Sequence, residues 1–260
     1  MIFFEKNIAI IVAAGKGERM KSHLPKQFLK LNHHPILWHT LKPFLECTDI
    51  HHIIVTVPES FINECQNQII QPLLKQYSLS EKFSVDKDID CIRGGHQRQE
   101  SVYLGLKSIN HPASIVVIHD GVRPFITSNQ ISLLIGQAKQ KEAVIFGISP
   151  RDTIKQVDKN NDITATIDRN KIQMAQTPQA FSYELIMKAH ETGRQKNIKA
   201  TDDAMMVEHM GKKVFVEQGH PLNIKITTPE DLILSKGIFD VWKIIDPFAS
   251  ACQDRQGGQV

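Results

Sequence analysis

"NIAIIVAAGKGERMKSHLPKQFLKL", residues 7–31, is the stretch whose reading decides the fold. It opens with an unbroken apolar run, Ile8 to Val12, rich in β-branched residues. A strand covered on both faces needs such a run, whereas a half-solvated strand would alternate. The run ends in a glycine turn, and four cations follow in quick succession: Lys16, Arg19, Lys21 and Lys26. A dinucleotide fingerprint would put a third glycine where Met20 stands and an acid at the end of the next strand, about 20 residues on. A Walker loop would continue into GK[ST], which is missing. What remains is either a solvated basic surface or a cradle for a more highly charged phosphate ligand. In such a cradle small residues let the ligand approach, and exposed amides form an anion-binding nest.

Outward from this stretch the texture repeats. "HIIVTV" (52–57), "SIVVIHD" (114–120) and "AVIFGIS" (143–149) are further continuous apolar runs, and helical spacing marks 36–47, 98–109 and 128–141. Strand-helix-strand order of this kind predicts a Rossmann-like α/β fold, a mostly parallel sheet flanked by helices. After Pro150 the pattern breaks. "RDTIKQVDKNNDITATIDRN" reads as two polar strands around the turn "KNND", a protruding β-hairpin too poor in apolar residues to stand alone. Beyond it the reading gives helices at 182–195 and 202–210, the latter stopped by Gly211, strands at 213–217 and 223–227, and a last helix opening at "TTPEDL". There Thr228 caps, Pro229 suits the first turn, and Glu230 and Asp231 complement the dipole. This organisation predicts one domain over 1–246, with the arm at about 150–172, and a flexible tail at 247–260.

The totals narrow the classes. With 260 residues, 41% hydrophobic and 23% charged, the chain has ordinary globular composition, and a net charge of +3 suits anionic small molecules better than nucleic acid. No apolar run is long enough for a membrane span. The four cysteines are far apart, without metal spacing, so free thiols and a cytoplasmic location are expected. Neighbouring histidines on a strand face opposite ways, so His33-His34 and His51-His52 are expected at the surface rather than in a zinc site.

Two other segments resemble the glycine loop. "GGHQRQES" (94–101) is a glycine pair entering a helix, with Arg98 and Ser101 on its first turn. "HDGVRPF" (119–125) places Asp120 at the carboxyl end of a buried strand, ahead of Gly121 and Arg123. Open α/β sheets bind ligands beyond those carboxyl ends. Any one of these segments reads equally well as structural; three of them at strand ends favour a site.

In order along the chain, "VAAGKGERM…LPKQF", "GGHQRQES", "HDGVRPF", "RDTIK", "TIDRN", "AQTPQAF", "TDDA" and "NIKITTPEDL" closely resemble the 2-C-methyl-D-erythritol 4-phosphate cytidylyltransferases of the non-mevalonate isoprenoid pathway, from residue 7 to about 240. The resemblance implies transfer of a cytidylyl group from CTP, the co-substrate, to methylerythritol phosphate, with Mg²⁺ as cofactor. It implies that Ala13, Ala14, Gly15 and Gly17 receive CTP, that Gly95 and Ser101 read cytosine, that Gly121 meets the ribose, and that Asp120 helps to place the metal. Arg19, Lys26 and Lys225 take catalytic roles. Arg123, Thr153, Arg169, Thr201 and Lys225 take the methylerythritol phosphate, with Thr153 and Arg169 carried by a hairpin that crosses to the partner of a homodimer. The sequence departs from the family pattern at His96 and Leu222, where relatives carry acids, and at Gly121, where several carry alanine. Two alternatives stand beside this reading: a ribitol-5-phosphate cytidylyltransferase, whose loop more often reads "AGG", and a non-catalytic sugar-nucleotide-binding module, which Arg19 and Lys26 together argue against.

Overall fold

The structure is a computed structural model and describes residues 6–15, 17–20, 22–78 and 87–245. Lys16, Lys21, Cys252 and the expected tail at 247–260 lie outside the described residues. The strands are β1 (Lys6–Val12), the two-residue β2 (Lys30–Leu31) and β3 (His34–Pro35), β4 (His52–Val57), β5 (Asp88–Arg93), β6 (Ala113–Asp120), β7 (Ala143–Ile148), β8 (Ile154–Val157), β9 (Ile163–Ile167), β10 (Met174–Ser182) and β11 (Phe215–Gln218). The helices are α1 (Ile36–Glu46), α2 (Ile62–Cys65), α3 (Gln71–Ser78), α4 (Arg98–Lys107), α5 (Ser128–Lys141), α6 (Tyr183–Gln195), α7 (Asp203–Glu208) and α8 (Pro229–Ile245).

Seven strands form one sheet in the order β11-β7-β10-β6-β1-β4-β5. All its pairings are parallel except those of β10, which runs against β6 and β7. The expected α/β architecture is present, and the apolar runs explain it. Along β1 the side chains alternate between two cores: Ala9 and Ile11 pack with α1 and α5, while Ile8 and Ile10 pack with Val102 of α4 and Ile186 of α6. A third cluster, with Val122, Phe125, Ile226 and Ile238, fastens α8 beyond the carboxyl end of the sheet. Two caps fix helix starts there. In α5, Thr127 and Gln130 form a capping box. At the start of α8, Asp231 accepts from the backbone of Thr227 and Thr228, while the Thr228 hydroxyl accepts from the Asp231 N–H.

The hairpin is as expected: β8 and β9 pair with each other and, among the described residues, with no third strand. Three expectations need correction. Residues 223–227 form no strand. They are held by side chains instead: Asn223 Nδ2 donates to the Thr177 carbonyl at 2.8 Å, and Arg123 Nη1 donates to the Asn223 carbonyl at 2.7 Å. The strand expected at 213–217 begins two residues later. His52 is not a surface residue either. It is buried, with Nε2 at 2.9 Å from Asp90 Oδ2 and Nδ1 at 3.2 Å from His111 Nε2, because β5 and the turn before β6 cover it. Among the described residues no three His, Cys, Asp or Glu are grouped to hold a metal, and no helix is long and apolar enough to cross a membrane. Cys47, Cys65 and Cys91 are free thiols.

Candidate active site

Four strand ends converge through backbone bonds. Val12 at the end of β1 is in register with Asp120 at the end of β6, and its carbonyl accepts from Gly121 N at 2.9 Å. Ala13 N donates to Thr56 O at 2.8 Å, and Gly94 N donates to Val57 O at 2.7 Å. The parallel register therefore gathers the glycine loop, the glycine pair and Asp120 at one edge of the sheet, where open α/β sheets hold ligands.

Between them lies a cavity whose wall includes Ala13, Ala14, Gly15, Lys26, Gly95 and Ser101. The fit is close. A methyl on Gly94 would stand 2.2 Å from Ala14 Cβ, and one on Gly121 would stand 2.8 Å from Ala13 Cβ. Gly17 has φ +72, in the left-handed region that favours glycine, and its Cα lies against the Lys26 stem. The Ser101 hydroxyl accepts from Gly95 N at 3.0 Å and donates to Gln97 O at 3.1 Å, which fixes the turn entering α4. Buried Gln27 donates to the Ala13 carbonyl and so anchors the loop from below.

A second cavity adjoins the first, with Arg123, Thr201, Gln176 and Thr177 among its lining. Arg98, Asp120 and Lys225 border both cavities. Asp120 is 5% exposed and is surrounded by cations. Its Oδ1 accepts from Arg98 Nε at 3.0 Å, and its Oδ2 lies 2.9 Å from Lys225 Nζ and 3.4 Å from Arg123 Nε. Burial alone would push the carboxyl up; Arg98, Lys225 and Arg123 outweigh it and hold Asp120 well below the usual carboxylate range. Lys26 has the opposite environment. Burial lowers its ammonium to about 8, with repulsion from Lys225 and Arg19 added and only Asp120 and Asp231 opposing. Lys26 has no ion-pair partner among the described residues. A half-buried cation in that state favours the arrival of an anion.

The single chain thus brings together Ala13, Ala14, Gly15, Lys26, Gly95, Ser101, Asp120 and Lys225, with Arg123 and Thr201 in the adjoining cavity and Gly17 and Gly121 packed just behind. Arg19 is exposed on the loop and lines neither cavity. Thr153 and Arg169 are exposed on the arm and also border neither one; Arg169 Nη1 donates to the Arg151 carbonyl at 2.7 Å. Leu222 packs against the apolar cluster under α8.

Sequence reasoning gave no role to several residues that build the site. Arg98 also donates from Nη1 to Asp203 Oδ2 at 2.7 Å, and Asp203 Oδ1 lies 3.1 Å from His190 Nε2. Gln179 accepts from the Asp203 and Ala204 N–H groups and donates to Asp202. The signal was present as the polar residues of "AQTPQAF" and "TDDA", each next to an apolar stretch. Their partners are distant in sequence, so pattern alone could not pair them.

Residues 7–240 match the family IspD: 2-C-methyl-D-erythritol 4-phosphate cytidylyltransferase. The chain is 42% identical over 235 residues to the 2-C-methyl-D-erythritol 4-phosphate cytidylyltransferase of Clostridium botulinum (strain Loch Maree / Type A3), covering 90% of this chain and 98% of that one. It is also 42% identical, over 228 residues, to the protein of the same name from Clostridium beijerinckii, covering 88% of this chain and 96% of the relative. Among solved structures, the 4-diphosphocytidyl-2C-methyl-D-erythritol synthase of Anaerococcus prevotii superposes with a TM-score of 0.77 at 30% identity, covering 91% of this chain and 96% of that one. The Francisella tularensis cytidylyltransferase does so with a TM-score of 0.70 at 31% identity, covering 90% and 99%.

Proposed function

The chain belongs to the 2-C-methyl-D-erythritol 4-phosphate cytidylyltransferase family and is a cytidylyltransferase of the non-mevalonate isoprenoid pathway, and from that premise we propose how its residues divide the work. CTP occupies the first cavity, with its phosphates on the loop from Ala13 to Gly17, its base against Gly95 and Ser101, and its ribose near Gly121. Methylerythritol phosphate occupies the second, held by Arg123, Thr201 and Lys225. The observation that carries this division is Asp120 with its cations on the wall common to two adjoining cavities.

The reaction joins two anions. The acceptor phosphate attacks the α-phosphorus of CTP and pyrophosphate leaves. The nucleophile is already ionised, so no general base is needed. The difficulty is charge, on approach and on the five-coordinate phosphorus, and pre-placed donors in a dry site answer it. Lys26 is such a donor, a half-buried ammonium without an ion-pair partner among the described residues. Lys225 and Arg123 share Asp120 Oδ2 and can turn from it to incoming phosphate. Arg19, exposed on the loop, closes over the triphosphate from outside.

Asp120 fits a divalent ion that arrives on the triphosphate. It is buried, held ionised, and borders both cavities, and Mg²⁺ commonly binds through one or two carboxylates plus substrate phosphates. Bound there, Mg²⁺ would neutralise phosphate charge. The arm completes the site of a second copy. It has no core of its own, it exposes Val157 and Ile163, and it carries Thr153 and Arg169 away from the cavities of its own chain. A two-fold homodimer lets each arm reach the other chain's second cavity.

The experiment is Lys26→Ala, assayed by pyrophosphate release. Losing a donor that acts mainly in the transition state lowers kcat on the order of a hundredfold or more and changes the KM for CTP much less. A mutant with kcat near wild type would remove Lys26 from this role.

A further inference from the structure

Arg98 holds two carboxylates at once. Its Nε takes Asp120 Oδ1 at 3.0 Å, and its Nη1 takes Asp203 Oδ2 at 2.7 Å. A guanidinium anchored at one point on a long stem would pivot; anchored at two, its plane is fixed. The second anchor is itself immobilised. Asp203 is 1% exposed at the start of α7, its backbone N–H donates to Gln179 Oε1 at 3.1 Å, and its remaining Oδ1 is met by His190 Nε2 of α6 at 3.1 Å. His190 is fully buried among the apolar side chains of α6 and α7.

A buried carboxylate is costly, and a hydrophobic replacement often stabilises a fold more. Asp203 lines neither cavity, and the cavity-lining side chain that its carboxylate meets is Arg98. We infer that Asp203 and His190 are positioning residues for cytidylyl transfer: together they lock Arg98 so that it holds one oxygen of Asp120 and leaves the other to the substrate phosphates and the metal. The inference rests on the reading of Asp120 given above. It assigns unequal duties to the two carboxylate oxygens. Oδ1 is permanently engaged, while Oδ2, shared by Lys225 and Arg123, is the one that exchanges partners as ligands arrive.

The test is a double-mutant cycle on kcat for pyrophosphate release, with Asp203→Asn, Arg98→Lys and the pair, each assayed below its own unfolding midpoint. Asp203→Asn lowers kcat on the order of tenfold to a hundredfold, the range for groups that orient a ligating side chain, and leaves the KM for CTP nearly unchanged. A lysine at position 98 cannot bridge both carboxylates, so in that background Asp203→Asn costs little more. Losses that multiply independently overturn the inference. His190 supplies a second readout should Asp203→Asn unfold. His190→Leu lowers kcat severalfold, and His190→Gln, which keeps a donor for Asp203, recovers most of the loss. Equal losses from both variants overturn the role of His190. Asp120→Asn is measured alongside. Full activity there would sink the reading of Asp120 and this inference with it, whereas an impaired Asp120→Asn with independent Arg98 and Asp203 would remove the positioning alone.

Discussion

At the scale of single residues, the site is governed by two charges in opposite predicaments. Asp120 has an excess of cations and Lys26 has no acid of its own. Lys26 in the free protein titrates at about 8, so it is charged below that pH and neutral above it. A triphosphate favours the charged form, so CTP binding near pH 8 takes up a proton. The expected pH profile of kcat/KM for CTP therefore falls as pH rises through about 8. In Lys26→Arg, whose guanidinium stays protonated, that limb disappears; its persistence would assign the titration to another group. For Asp120, replacing the carboxylate by an amide should raise the Mg²⁺ concentration needed for half-maximal rate, and turnover persisting in excess EDTA would contradict the metal assignment. The glycines, Lys26, Asp120 and Arg123 were legible as a site because each stands in or near a strand-end loop. Asp203 and His190 were not, because nothing in a sequence says that one buried acid meets both a distant arginine and a buried histidine.

At the scale of elements, the continuous apolar runs of β1, β4, β6 and β7 were readable because both faces of those strands are covered. The edge strand β5, "DIDCIR", and the antiparallel β10, "MAQTPQAFS", escaped. One is half solvated, and the other buries amides and a proline that serve the site. Residues 223–227 were misread for a related reason. Their apolar spacing resembles a strand, but their carbonyls and amides are taken by Arg123, Val122 and β10 side chains rather than by a ladder. The arm was legible through its lack of apolar residues, and its placement yields a test. In the proposed homodimer, Lys26→Ala damages the body of a site and Arg169→Ala the arm that enters the other. Mixed under conditions of subunit exchange, half the dimers are hybrid, and both lesions fall in one of their two sites. Activity should return to roughly a quarter of wild type. No recovery despite demonstrated exchange would mean that each arm serves its own chain.

At the scale of the whole molecule, the parallel sheet supplies the geometry and the elements beyond it supply the charge. β1, β4, β5 and β6 bring their carboxyl ends to one edge. The loop carrying Lys225, tied by Asn223 to β10 and backed by α8, then closes that edge with cations. This division separates what the fold shares with other open α/β sheets, a place for a nucleotide, from what the second cavity adds, the proposed place for a phosphorylated acceptor. The most direct measurement is initial pyrophosphate release from CTP and Mg²⁺ with methylerythritol phosphate, with ribitol 5-phosphate, and with no acceptor. The account predicts rapid release with the first, and release at least about tenfold slower with the second, since the acceptor's hydroxyls and methyl group contribute a few kcal/mol of discrimination. Release without acceptor should be negligible. Equal rates with both acceptors, or release that needs no acceptor, would contradict it.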